Sequence, residues 1–505
     1  MNGIRNAHLF LICILLFLAT SIPFSSFVSG NLFKTDYLYI SQEKDAVILG
    51  FSGNKLLSTD DSNYAHHVEV SMAISDNGTI FVGWKNSQTH NGAGTRVSIV
   101  KSLDGGTSWT QPYDMPMFGG SITAQSDPWL YWYNGTVYYA YLEFEPEYFN
   151  DPSGGYLTQI TIAKSIDNGA TWTPVQASNG TYFADKETFV VGENNTVYLV
   201  YDDVNIENPN GNASIRVTRS NDRGDSYNEI SMIGEDEFYL GPYITLNSSG
   251  DPFVAWSWLP DSGGNLYFSK SLDKGFTFDA PQIINDDGNY SILEPAGGTA
   301  GKATLPVIKF DKDNRLYILW ADKYDQATDT FDVYLRYSDN YGANWSGRFR
   351  VNPDTAGNQW NPDMVIDKTG RLHIVYYSEI GGNYRPYYRT VNFTGAQRSN
   401  PTFSDELVIA SEDTSSFFTR PGEYMCIQLD PYGIPHVAWS DGRNNEMDIY
   451  YAYGLTELPF PIEIVIIVIV IIIIGAVSVV FIFRYRHKHN ILKDTNGNHQ
   501  IKKGL

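Results

Sequence analysis

Carboxylates stand at corresponding places along this 505-residue sequence, each just before an apolar run that has the length of a strand. Among these carboxylates, the candidate catalytic residues are Asp127, Glu187 and Glu423. Two carboxyl groups held roughly 5–9 Å apart hydrolyse glycosidic bonds, one as the acid and the other as base or nucleophile. In the alternative interpretation these are ordinary acidic residues of a chain whose formal net charge is −22. Their spacing is compatible with both interpretations.

A further group of acids, Asp322, Asp325 and Asp329, lies in one loop. Carboxylate oxygens are ligands that Ca²⁺ prefers. The loop lacks the spacing of an EF-hand, which favours the alternative of a solvated acidic loop. We therefore predict that the protein has no cofactor and no bound metal. The alternative is a Ca²⁺ ion held by this loop.

The elements that must position these residues form a sevenfold repeat. In each copy a Gly or Asn turn is followed six residues later by an aromatic residue that closes an apolar strand. The pairs are Gly78 and Trp84, Gly135 and Tyr141, Asn195 and Tyr201, Gly250 and Trp256, Asn314 and Trp320, Gly370 and Tyr376, and Gly433 and Trp439. Gly and Asn tolerate the positive φ of a tight hairpin. Two further strands follow in most copies, and four strands make one propeller blade.

The repeat predicts an all-β fold, a single seven-bladed β-propeller within residues 31–455. The seventh copy ends after its third strand. We expect Asn54–Ser58 to supply the missing fourth strand, because closing the ring in this way removes both open sheet edges. Residues 34–50 are expected to form an additional hairpin or flap.

A second motif follows the third strand in five copies, with the pattern Ser-x-Asp-x-Gly or its Asn variant. Its acidic or amide residues are Asp104, Asp167, Asp222, Asp273 and Asn340. Such a side chain accepts hydrogen bonds from nearby backbone N–H groups and holds a turn. The motif ends in an aromatic residue that can pack back against the sheets. We therefore assign these five residues a structural role.

On these motifs the chain resembles the sialidase-like Asp-box, or BNR-repeat, β-propellers over roughly residues 50–455. The resemblance is specific for the repeat and implies no single activity. Sialidases of this kind have six blades, so a six-bladed propeller is the alternative architecture. In them three arginines bind the substrate carboxylate, an Asp is the acid/base, and a Glu activates a Tyr nucleophile.

The arginine segment that opens sialidase domains is absent here, so the family's site residues cannot be assigned by motif. Arg385, Arg420 and Arg443 are the arginines that loops on one rim of a propeller would bring together. The alternative is that they are solvated loop cations paired with acids. Such exposed ion pairs contribute little to stability.

Both ends carry membrane signals. Residues 1–30 combine Arg5 with a short apolar core, which is typical of a signal peptide. Residues 464–483 are apolar, without a charge, and long enough to span a bilayer as a helix. A linker, 456–463, precedes this span, and the short basic tail 484–505 indicates the cytoplasmic side. The predicted location is the cell membrane, with one span, the propeller outside and the C-terminus in the cytoplasm.

The predicted external domain carries nine sequons for N-glycosylation. They begin at Asn77, Asn134, Asn179, Asn194, Asn212, Asn247, Asn289, Asn344 and Asn392. The acidity of the domain excludes nucleic acid as a partner, because phosphates would be repelled. The expected partner is a glycan or a surface protein.

No catalytic motif is complete in this sequence. We therefore predict a cell-surface propeller that binds a glycan or a protein through a rim of loops, and expect no enzyme. The alternative function is a membrane-anchored, exo-acting glycoside hydrolase of the sialidase type.

Overall fold

Seven antiparallel sheets follow one another along the chain in a computed structural model of the protein. Each innermost strand contacts the next, and the last contacts the first, so the sheets form a closed seven-bladed β-propeller. The predicted fold is confirmed, and the six-bladed alternative is wrong. The structure describes residues 47–59, 64–88, 96–149, 158–178, 182–205, 212–236, 239–259, 264–285, 305–323, 330–395, 398–415 and 424–456, and residues 474, 475, 477–480, 482 and 484.

The strands of each blade are named here from the innermost outward, and the blades are numbered along the chain. Blade one has His66–Ile74, Ile80–Ser87, Arg96–Ser102 and Tyr113–Asp114. Blade two has Ala124–Tyr133, Thr136–Phe144, Thr158–Ser165 and Thr173–Gln176. Blade three has Phe183–Val191, Val197–Val204, Ala213–Ser220 and Asn228–Asp236. Blade four has Tyr239–Leu246, Pro252–Trp258, Asn265–Lys270 and Gln282–Ile283.

The remaining blades vary at their outer edges. Blade five has Val307–Phe310, Leu316–Asp322, Asp332–Ser338 and Phe349–Arg350. Blade six has Gln359–Ile366, Leu372–Ile380 and Asn383–Thr394, the last paired with Asn400–Phe403, Leu407–Val408 and Thr414–Ser415. Blade seven has Met425–Leu429, Pro435–Asp441 and Asp448–Thr456. Two short 3-10 helices, Pro146–Phe149 and Glu193–Asn195, lie in the described connections.

Blade seven is completed from the other end of the chain. Strand Lys55–Leu56 pairs with Asp448–Thr456, where Lys55 faces Tyr451, and the Leu57 N–H donates to the Ile449 carbonyl at 2.8 Å. The predicted closure is therefore confirmed. Strand Ile48–Phe51 also pairs with this strand, so the end of the predicted flap, residues 34–50, belongs to the same sheet. The rest of that flap lies outside the described residues.

The repeat pattern is explained by the packing of the blades. All seven turn residues between first and second strands have positive φ, from 58° to 88°. All seven closing aromatics are buried between neighbouring sheets, and the second strands are buried on both faces. The apolar runs predicted to be strands thus supply the core.

The five Ser-x-Asp/Asn turns share one set of hydrogen bonds. In the first, the Gly106 N–H donates to Ser102 Oγ at 2.8 Å, and the Ser108 N–H donates to Asp104 Oδ1 at 2.8 Å. The same bonds recur at Asp167, Asp222, Asp273 and Asn340. The first turn also packs against blade seven, with the Trp109 ring 4.8 Å from the ring of Tyr451. The turns therefore join neighbouring blades.

The predicted ends lie mostly outside the described residues. The signal peptide, residues 1–30, is not among them, and the described positions within 474–484 are helical. Within the described part of the chain, no helix is long and apolar enough to cross a membrane.

Candidate functional site

The inner strands of five blades break their pairing at the same place, where each carries one extra residue. The residues with positive φ at these bulges are Glu69, Asp127, Lys186, Gly241 and Asn361. A β-bulge re-aims the side chains around it. Positive φ in a non-glycine residue is strained, and such strain concentrates at functional sites. We call these five positions, with Tyr424 of blade seven, the channel mouth.

A cavity of about 330 Å³ runs along the propeller axis. It is lined by the inner strands of all seven blades, and Asp127, Lys186, Gly241, Asn361 and Tyr424 all contribute to its wall. A concave space with a few converging polar groups is the usual form of a small-ligand site. Four of the five bulge residues, Asp127, Lys186, Gly241 and Asn361, therefore line this cavity.

Three blades meet at the carboxylate of Asp127. Its Oδ1 atom lies 2.7 Å from Lys186 Nζ of blade three and accepts a hydrogen bond from the Tyr424 hydroxyl at 2.9 Å. Lys186 Nζ is also 2.7 Å from that hydroxyl and 5.0 Å from the centre of the Tyr424 ring. Asp127 and Lys186 are both almost completely buried. Charge-assisted bonds of this kind fix a carboxylate firmly in place.

Glu69 of blade one supports this arrangement from behind. Its Oε2 atom accepts the Asp127 N–H at 2.9 Å, and its Oε1 atom pairs with Lys85 Nζ at 3.0 Å. Ser126 Oγ donates to Asp127 Oδ2 at 2.7 Å. The left-handed backbone at Asp127 is thus held by a neighbouring blade.

Glu187, the next residue after Lys186, is the unusual acid of the cavity wall. It is 3% exposed, and neither of its carboxyl oxygens has a hydrogen-bond partner in another described residue. Burial, followed by the charge of Asp127, raises the pKa of Glu187 well above its ordinary value. The cavity wall therefore places the ion-paired carboxylate of Asp127 within electrostatic reach of a carboxyl group whose protonated form is favoured by burial.

A second strongly perturbed acid lies behind this pair. Asp202, in the second strand of blade three, is fully buried and accepts the Gly241 N–H at 3.3 Å. Burial, then the charge of Asp185, raises the pKa of Asp202 well above normal. Its neighbour Asp203 is instead paired with Arg216 at 2.8 Å. Adjacent acids of one strand thus have opposite environments.

Aromatic side chains form the deeper wall of the cavity. The rings of Trp129 and Tyr243 meet edge to face at 5.3 Å, and Lys309 Nζ lies 5.7 Å from the centre of the Tyr243 ring. Asp363 also lines this level, with its oxygens accepting the N–H groups of Met364 and Ile427 at 2.8 and 3.0 Å. Burial raises the pKa of Asp363, and Lys309 opposes this effect.

Two of the three predicted arginines, Arg385 and Arg443, are not part of the cavity wall. Arg385 pairs with Asp413, and Arg443 pairs with Asp441 at 2.5 Å while lying over the Tyr450 ring. No arginine is found among the described residues that line the cavity. The structure thus does not bring these two arginines together as a carboxylate-binding group, because nearby acids hold each of them.

A Tyr–Glu pair is present, but in another place. The Tyr376 hydroxyl donates to Glu406, yet Tyr376 is the buried closing aromatic of blade six and does not line the cavity. Burial raises the pKa of Tyr376, and the adjacent Glu406 adds to this effect. This pair is therefore part of the packing.

Several other predicted residues lie outside the described part. They are Arg420, Glu423, Asp325 and Asp329. Asp322 of the acidic loop is buried and pairs with Arg348 at 3.0 Å. Within the described ranges, no group of three or more His, Cys, Asp or Glu residues is arranged to hold a metal.

The sequons are spread over turns and edges. Asn77, Asn134, Asn194, Asn212 and Asn344 are exposed, and Asn392 is half-buried. Asn247 is buried, and its side chain bonds to the backbone and carboxylate of Asp251. Asn247 is thus the buried one among the described sequon asparagines, while Asn179 and Asn289 lie outside the described residues.

Comparison with known proteins gives matches among solved structures only. No protein-family model and no curated protein matches this chain. An ulvan lyase, described as a polysaccharide lyase, matches at 12% identity and a TM-score of 0.50, over 81% of this chain and 96% of that chain. An α-L-arabinofuranosidase from Fusarium graminearum matches at 13% identity and a TM-score of 0.44, over 81% of this chain and 98% of that chain.

A sialidase from Trypanosoma rangeli in complex with sialic acid matches at 12% identity and a TM-score of 0.44, over 69% of this chain. The alignment spans 59% of that sialidase chain. Each of these enzymes acts on carbohydrate according to its description. At such low identity, the likeness to the lyase shows that the chain has the β-propeller fold.

Proposed function

We propose that the channel mouth binds a carbohydrate and hydrolyses a glycosidic bond, with Glu187 as the acid and Asp127 as the ionised carboxylate. The observation that supports this most directly is Glu187, a buried carboxyl group without a partner, beside an ion-paired carboxylate in a cavity wall. Glycoside hydrolysis needs one protonated and one ionised carboxyl group. Different environments that separate two pKa values provide this division.

The surroundings suit each role. The raised pKa of Glu187 favours its protonated form, which can donate a proton to a leaving oxygen. Asp127 has Lys186 and Tyr424 as donors, which favour its charged form and hold its oxygens in a fixed orientation. Asp127 is then the group that stabilises positive charge on the sugar or activates water.

The described lining gives no support to the sialidase form of this activity. In that family three arginines bind the substrate, whereas the lysines Lys186 and Lys309 are the basic residues found in the described wall. Lysine presents a point charge and does not form the bidentate contact that arginine makes with a carboxylate. We therefore propose a glycoside hydrolase without assigning it to the sialidases.

The test is hydrolysis by the full-length protein in detergent, measured as reducing ends released from a panel of aryl glycosides and polysaccharides. We expect Glu187→Gln and Asp127→Asn each to lower kcat at least about 100-fold, within the range of general acid–base contributions. Glu193→Gln, at an exposed glutamate, is the matched control and should leave the rate unchanged. Absence of release from every substrate, or equal rates for Glu187→Gln and the native protein, would overturn the proposal.

Binding without catalysis is the second candidate function. It is favoured by the fact that the Asp127 carboxylate is engaged by Lys186 and Tyr424. Glycan-array binding by the full-length protein that survives Glu187→Gln, together with no hydrolysis, would support this candidate.

We also propose the cell-surface location that the sequence predicts. Its basis is the apolar segment 464–483 and the basic tail that follows it. Protease added to intact cells should degrade the propeller and spare a tag placed after Leu505.

A further inference from the structure

One cation in the cavity wall has no anionic partner in contact. Lys309, in the inner strand of blade five, makes neither a hydrogen bond nor an ion pair within the described parts of the chain, and its ammonium faces the Tyr243 ring. The other lining lysine, Lys186, is neutralised by Asp127. An ammonium that has lost part of its hydration gains strongly from an anion.

The acid whose charge reaches Lys309 is already engaged elsewhere. Asp363 is the carboxylate whose charge reaches Lys309, but its two oxygens accept N–H groups from Met364 and Ile427. These bonds fix Asp363 against the backbone of blades six and seven. The N–H groups of the Lys309 ammonium can therefore donate hydrogen bonds to a group inside the cavity.

The position of Lys309 is deeper than that of the proposed acid pair. Leu305 lies beside Gly241 of the channel mouth, and Lys309 follows four residues later in the chain. A strand rises about 3.3 Å per residue, so the Lys309 backbone lies roughly 13 Å below the mouth. Trp129, Tyr131 and Tyr243 also line the cavity, and aromatic rings are the kind of surface on which sugar rings pack.

We propose that Lys309 forms an anion subsite in the deep part of the channel, and that the carbohydrate bound there carries an anionic group, a carboxylate or a sulfate. This inference rests on the proposed function and names the class of sugar that the channel takes. A neutral sugar would leave the ammonium without compensation for its lost water. An anionic group would convert the same ammonium into a charge-assisted donor.

The test is a titration of the full-length protein in detergent, followed by tryptophan fluorescence, to which Trp129 contributes. The probes are D-glucose, D-glucuronate, D-glucose 6-sulfate and N-acetylneuraminate, so that ring carboxylate, sulfate and sialate are separated. We expect at least one anionic probe to bind about tenfold more tightly than glucose, as expected for a hydrogen bond to a charged group. Lys309→Met should remove this preference, and Lys309→Arg should retain it.

Lys312→Met is the matched control, because Lys312 is exposed and paired with Asp313 outside the cavity. It should leave the preference unchanged. Glucose that binds as tightly as every anionic probe, or a preference that survives Lys309→Met, would overturn the subsite. Such a result would leave the proposed hydrolysis intact, as long as the native protein releases reducing ends in the test of Glu187. If the native protein releases none, the proposed function fails, whatever the binding preference.

Discussion

Lys186 Nζ of blade three lies 2.7 Å from the hydroxyl of Tyr424 of blade seven, so two blades that are not neighbours meet across the channel mouth. Both groups contact the same Asp127 oxygen of blade two. This bridge crosses the opening of the cavity. A ligand that enters the channel must therefore pack against the bridge or replace one of its contacts.

Removing the cation of this bridge should destabilise the fold strongly. Lys186→Met would leave the buried Asp127 carboxylate without its ion pair, and breaking one partner of a buried pair costs about 3–5 kcal/mol. We expect this loss in urea unfolding at pH 7. Asp127→Asn in addition should recover part of it, because the uncompensated charge is then gone. Lys312→Met, at an exposed pair, should change the unfolding free energy by less than about 0.5 kcal/mol. Equal losses at the two lysines would contradict the prediction.

Glu187 should make the protein less stable as the pH rises. Its pKa is raised in the folded state, so between its unfolded and folded pKa values the folded protein binds more protons. Stability is then fully present below the unfolded pKa and falls as the pH approaches the folded pKa.

Glu187→Gln removes this dependence and leaves a neutral group of the same shape. In thermal melts the variant should therefore match the native protein near pH 4 and exceed it increasingly towards pH 8. Glu193→Gln, at an exposed site, should show no such divergence. If the melting temperatures of Glu187→Gln and the native protein differ by the same amount at every pH, the raised pKa of this buried carboxyl group is contradicted.

The blades could be predicted because their signal is local. Each turn residue with positive φ and its closing aromatic lie six residues apart, and this spacing is repeated seven times. The strand exchange that closes blade seven followed from a missing fourth strand. The blades depend on hairpins, in which contacts are close in sequence, whereas the strand exchange pairs distant residues and could be predicted only because the repeat count left one strand missing.

The site was only half predicted because its contacts are distant in sequence. Asp127 and Glu187 were found through their place before apolar runs, although both lie inside the inner strands, at the bulges. Lys186 and Tyr424 are 238 residues apart and were missed. One signal was available. Proline follows the bulge residue at Pro128, Pro242 and Pro362, and proline within a strand often marks a bulge. Nothing local indicates that Lys309 lacks a carboxylate in contact.

Two adjacent glycines of the first Ser-x-Asp turn should respond differently to a methyl group. Both have positive φ, 69° at Gly105 and 91° at Gly106. A Cβ on Gly105 would meet nothing within 4 Å, whereas one on Gly106 would lie 2.1 Å from the Tyr451 hydroxyl of blade seven. Tyr451 is buried and bonded to His436, so it has little room to move.

Gly105→Ala should therefore cost about 1 kcal/mol from backbone strain alone. Gly106→Ala should cost about 1–3 kcal/mol more, the usual range for overpacking. Urea unfolding of both variants measures the difference. Equal costs would mean that this turn is not packed against blade seven.

The acidic turns should contribute stability that is lost in acid. Hydrogen bonds from Thr277 hold the pKa of Asp273 at about 2. Desolvation raises the pKa of the exposed Asp222, but hydrogen bonds from Ser226 and Ser220 outweigh it and hold this pKa at about 2 as well. A pKa lowered in the folded state gives stability that is present above the unfolded pKa and lost as the pH falls through the folded pKa.

Asp222→Asn and Asp273→Asn should thus lower the melting temperature at pH 6 and have little effect near pH 2, as followed by circular dichroism. The fifth turn provides a control within the chain, because Asn340 occupies the same position and does not titrate. Asn340→Asp should introduce a new loss of stability between about pH 4 and pH 2 if the turn geometry itself lowers the pKa. If Asn340→Asp instead changes the melting temperature by the same amount at every pH, the effect at Asp222 and Asp273 depends on the hydroxyl groups of Ser226 and Thr277. In the fifth turn, Asn344 stands at the position of these hydroxyl residues.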